Sequence, residues 1–153
     1  MNRLSWFDHK IVIDRHMWRC GGFGPYHHGS MSTRMMDNHG MMCCLGKDAK
    51  DCGISQEILL ASANPGLVAS LTEDAIVKIP HMLLFRDGKY DNDHSNFACE
   101  MMTINDNEKL TDSRRELELF LCAKKHRVFV QFIGEYQDDR NCRADGPRRG
   151  STC

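Results

Sequence analysis

The sequence holds no apolar stretch near the roughly 20 residues a helix needs to cross a bilayer. It also lacks charge of one sign: the formal net charge is −1 and the pI about 6.7. A chain so near neutrality offers no general field to nucleic acid or anionic lipid, and cannot imitate DNA through net charge. There is no internal repeat. No C-x₂-C or H-x₃₋₅-H pair occurs at zinc-site spacing. Gly21-Gly22-Phe23-Gly24 has neither a preceding strand nor a following GK[ST], so it reads as a plain loop rather than a phosphate cradle. Lys124-Lys125 and Arg148-Arg149 are too short to mark a nucleic-acid surface. The first ten residues carry charges where a signal peptide needs an apolar core, which leads us to expect a cytoplasmic protein with no membrane partner.

What the sequence does have is an ordinary balance for a folded domain, with 41% hydrophobic and 27% charged residues in 153. That length supports one core. The reading is a single α+β domain over residues 1–137, with several short helices on a small antiparallel sheet, and a polar, disordered tail over 138–153. Trp6 to Cys20 is expected as a first helix, although Ile11-Val12-Ile13 also suits a strand. Met31 to Met42 reads as a hairpin around Asp37-Asn38-His39-Gly40. Cys43 to Cys52 reads as a helix closed by Gly53, and Ser55-Gln56-Glu57 starts a short turn. Asn64-Pro65-Gly66 is expected to break the chain. Phe97 to Ile104 is a further helix, ended by Asn105-Asp106-Asn107. A last helix is capped by Thr111 or Asp112, with Ser113 and Glu116 at capping-box spacing and Leu117, Phe120 and Leu121 as its buried stripe. Val128, Val130 and Phe132 alternate as a strand.

Eight cysteines stand at 20, 43, 44, 52, 99, 122, 142 and 153, and seven of the ten methionines cluster at 31–42 and 101–102. With no export signal and a strained geometry for any bond between neighbours 43 and 44, most of these cysteines are expected to be free thiols. Met41-Met42-Cys43-Cys44-Leu45-Gly46 followed by Ile104-Asn105-Asp106, together with an early tryptophan, Trp18, resembles a set of uncharacterised small proteins of bacteriophages and prophages. The resemblance spans about Trp18 to Ile133. It implies a phage genome and action in the host cytoplasm, not an activity.

Several chemical readings compete. Cys43 or Cys44 at a helix N-terminus, with His39 as one available base, would suit a cysteine-dependent hydrolase or acyl transfer; the plainer alternative is packing. His27, His28, His39, Cys43 and Cys44 are the donors of a possible zinc site in a regulatory protein, though their spacing is poor for one tetrahedral ion. Asn105-Asp106 could orient a base, or simply end a helix. Trp18, Phe23, Tyr26, Arg34, Met35 and Met36 supply residue types favoured in partner-binding patches, and equally those of a small core. The leading expectation is a non-enzymatic accessory protein that binds a host protein and requires no cofactor.

Overall fold

The structure is a computed structural model that describes residues 7–20, 34–86, 89–90 and 95–135. Phe23, Tyr26, His27, His28 and the expected tail lie outside the described residues.

The segment expected as a first helix is instead a strand, β1 (His9–Asp14). Ile11 and Ile13 are buried while Val12 between them is only partly so, a period of two rather than 3.6. Its partner is β4 (Val128–Ile133), near the other end of the described chain. The pairing is parallel, with His9 opposite Val128, Ile11 opposite Val130 and Asp14 opposite Ile133. This corrects the antiparallel sheet expected from sequence. Two strands joined by a hairpin run antiparallel; here every helix among the described residues stands between them, and such a crossover lets both strands run the same way. The two-residue strands β2 (Phe85–Arg86) and β3 (Lys89–Tyr90) pair antiparallel.

Between β1 and β4 lie α1 (Gly46–Asp51), α2 (Gln56–Ala61), α3 (Pro65–Leu71), α4 (Asp74–Lys78), α5 (His81–Leu84), α6 (Asn96–Asp106) and α7 (Asp112–Lys125). Four of them start on a side-chain cap. Ser55, Asn64, Ser95 and Thr111 accept from the amides of Ile58, Leu67, Ala98 and Arg114, each satisfying a donor that the first turn leaves orphaned. Asn64-Pro65 is thus a helix start, not a break: the asparagine caps, and proline fits the first helical position, where its missing N–H costs nothing. Ser113 and Glu116 do not form the expected capping box, because Thr111 holds the cap and Glu116 pairs with Arg15.

The hairpin expected over Met31 to Met42 shrinks, in its described part, to a single bridge between Met36 and Met42 around a turn with Gly40 at φ +77°. Met42 also bridges Trp18. The core runs from Ile11 and Ile13 through Met35, Met36, Cys43, Cys44 and Leu45 to Leu59, Leu83, Leu84, Met101, Leu119 and Val130.

Candidate functional site

The residues that carry the sequence resemblance meet in one place. Asn105, on the last turn of α6, is fully buried. Its side-chain oxygen accepts from Trp18 Nε1 at 2.8 Å and from the backbone N–H of Cys44 at 3.2 Å. Its amide donates to the Arg19 carbonyl at 3.2 Å and to Asp106 Oδ1 at 2.9 Å. An asparagine that only ended a helix would face solvent. This one ties the chain after β1 and the turn before α1 to α6. It is part of the helix, whose C-cap is Asn107.

Cys43 and Cys44 precede α1 rather than lying in it, since the helix begins at Gly46. Cys43 Sγ lies 3.7 Å from Met35 Sδ, and Cys44 Sγ lies 3.7 Å from the carbonyl of Met101. Both side chains are sealed in the core. Burial, then the adjacent Cys43 thiol, push the Cys44 pKa well above its ordinary value, because a thiolate there would lose its hydration. The Cys44 N–H is committed to Asn105, so it does not serve as an oxyanion donor. Among the described residues no imidazole is hydrogen-bonded to either sulfur. His39 is exposed in its turn, where its backbone N–H donates to Asp37 Oδ1. Two open grooves run beside α6, of about 370 and 150 Å³, and neither has Cys43 or Cys44 in its wall.

Gly46 completes the motif for a steric reason. A Cβ there would stand 1.9 Å from the Met35 carbonyl oxygen and 2.9 Å from Met42 Cβ. The Cys-Cys-Leu-Gly run thus places three buried side chains and then a bare backbone against the Met35–Met42 segment.

The other expected site residues separate. Trp18, Met35 and Met36 are buried in the core, so in this conformation they are packing residues rather than a binding patch. Arg34 is exposed and donates to the Leu60 carbonyl at 3.0 Å. Of the expected zinc donors that are described, His39 is outside and the two thiols face Met35 and Met101. Of the six described cysteines, five are free thiols, and Cys20 is disulfide-bonded.

Sequence reasoning missed two features. Arg115 is buried in α7 and donates to Asp112 Oδ1 and to the carbonyls of Asn107 and Leu110. Burial draws its pKa down, while Asp112 acts in the opposite sense. Glu100, Cys122 and His126 converge where α6 meets the end of α7. The sequence signal for the second was Cys122-x₃-His126, one helical turn apart, whereas His126 reads most simply as one of the cations that suit a helix end. No protein-family model, curated protein or solved structure matches the chain.

Proposed function

We propose that the protein is a phage-encoded accessory protein that acts without catalysis, by binding a host protein in the host cytoplasm and changing its activity. The single observation that carries this reading is the fate of the vicinal thiols. Cys44 has no exposed surface, and its sulfur is held in the protonated form by burial. A nucleophile needs its thiolate and an approach path. With the most reactive residue type of the motif spent on packing, the work falls to the surface. The phage origin rests on the resemblance carried by Cys43-Cys44-Leu45-Gly46 and Ile104-Asn105-Asp106.

A surface for this role is the α3–α4 corner. Leu71, Ile76 and Val77 stand out there, Val77 with 88% of its area exposed. Single exposed apolar residues are common, but three within seven positions offer anchors of the kind that binding energy concentrates on. The test is capture of a bacterial protein from lysate on the immobilised chain, followed by rebinding of the purified partner. Ile76→Asp and Val77→Asp should each weaken that rebinding about tenfold or more. Failure to find a partner, or rebinding indifferent to both variants, contradicts this account. Turnover of an acyl substrate abolished by a thiol reagent would favour the hydrolase instead.

A further inference from the structure

Glu100 projects from α6 toward the C-terminal end of α7. There Cys122 and His126, four residues apart, share one helix face. A single carboxylate oxygen, Glu100 Oε2, lies 3.6 Å from Cys122 Sγ and 3.4 Å from His126 Nε2. All three donor atoms lie within 4.8 Å of one another. Around a tetrahedral zinc ion with bonds of about 2.0–2.3 Å, neighbouring donors stand about 3.3–3.6 Å apart. Two edges of the triangle therefore already have the dimensions of a coordination face.

A plain hydrogen-bond cluster would also bring these groups close. Two details favour more than that. Glu100 already has its counter-charge, since Lys125 Nζ lies 3.2 Å from both carboxylate oxygens. Lys125 is 66% exposed, so it is free to swing into solvent. The remaining two groups are held in place: Cys122 is buried, and the His126 ring packs on Phe97 with centroids 5.1 Å apart. Fixed S and N donors beside a carboxylate with a displaceable partner make a preorganised soft-ligand face. The C-terminal end of α7 adds its own preference for a cation.

We propose that Glu100 Oε2, Cys122 Sγ and His126 Nε2 form a binding site for a thiophilic divalent cation of the zinc type, with Lys125 displaced and water at the fourth corner. On binding, the Cys122 S–H bond breaks, the sulfur bonds the metal as thiolate, and one proton passes to solvent. His126 binds as the neutral imidazole. The carboxylate and thiolate together balance the ion's charge. One sulfur, one nitrogen and one oxygen ligand favour zinc over magnesium or calcium. The ion would clip α6 to α7.

Cobalt(II) and zinc(II), each added alone to the tag-free full-length chain, provide the test. Cobalt should give a near-ultraviolet sulfur-to-metal charge-transfer band at one equivalent, removed by zinc. Cys122→Ser should abolish the band, Cys99→Ser should leave it, and His126→Ala and Glu100→Gln should weaken binding about tenfold to a hundredfold. Lys125→Ala keeps every ligand and removes only the competitor, so it should tighten binding. A band that survives Cys122→Ser, no band at all, or a Lys125→Ala variant that binds no better overturns the site.

Discussion

Asn105 uses every hydrogen-bonding capacity of its side chain, two as acceptor and two as donor. Replacing it with leucine leaves the buried Trp18 indole N–H and Cys44 amide, and the part-buried Arg19 carbonyl, without their partner. Each such group costs about 1–3 kcal/mol, so we expect Asn105→Leu to lose at least about 3 kcal/mol in urea unfolding. A loss below about 1 kcal/mol would mean that water replaces the side chain. Gly46→Ala should cost about 3 kcal/mol or more, because the methyl group meets a backbone carbonyl that has nowhere to retreat. Two thiols, the buried Cys44 and the half-buried Cys52, give a pH signature. Cys44 is raised above the ordinary thiol value of 9.0, and Cys52 to about 11. The folded state keeps protons that the unfolded chain releases. These groups' contribution to stability is therefore intact below about pH 9 and declines as pH climbs through about 11. Urea midpoints at pH 7 and pH 10.5 measure it, and rapid labelling of Cys44 in the native protein would contradict its burial.

At the scale of elements, the last helix and strand were legible because their signals are local. Thr111 sits just ahead of a run of helix formers, and Val128, Val130 and Phe132 alternate. β1 was not, because Ile11-Val12-Ile13 satisfies either period, and the strand that decides the matter is far off in sequence. The buried stripe of α7 was misplaced for a related reason. Leu117 and Leu121 are about half exposed, and the inward face is Arg115, Leu119, Cys122 and Ala123. An arginine reads as surface from sequence, yet here it binds the carbonyls that close the α6–α7 connection. Arg115→Ala should cost about 3–5 kcal/mol, since it strands Asp112 and those carbonyls. The next residues offer the reverse case. Arg127 follows the helix with φ 60°, a conformation that glycine adopts freely. Its contact with Asp8 is exposed and contributes little. Arg127→Gly should therefore stabilise the fold, by about 0.5–1 kcal/mol in thermal or urea unfolding.

For the whole molecule, the sequence conveyed class and composition but not closure. The mix of helix and strand was readable. That the first and last described strands lie side by side and run parallel was not, because no local pattern encodes partners so distant. The candidate site suffered likewise: Cys43 and Cys44 read as a nucleophile or as packing, Asn105 as orienting a base or ending a helix, and only the tertiary arrangement reveals them as one buried joint.

That parallel pair carries a temporal consequence. During synthesis β1 leaves the ribosome with its hydrogen-bonding edge unmet, and stays so until about a hundred further residues have followed. Bringing ends so far apart together is entropically expensive and must precede the reward of the ladder. The nascent chain should stay protease-sensitive until β4 emerges, then become resistant within a narrow window of chain length, which stalled translation intermediates of graded length would reveal.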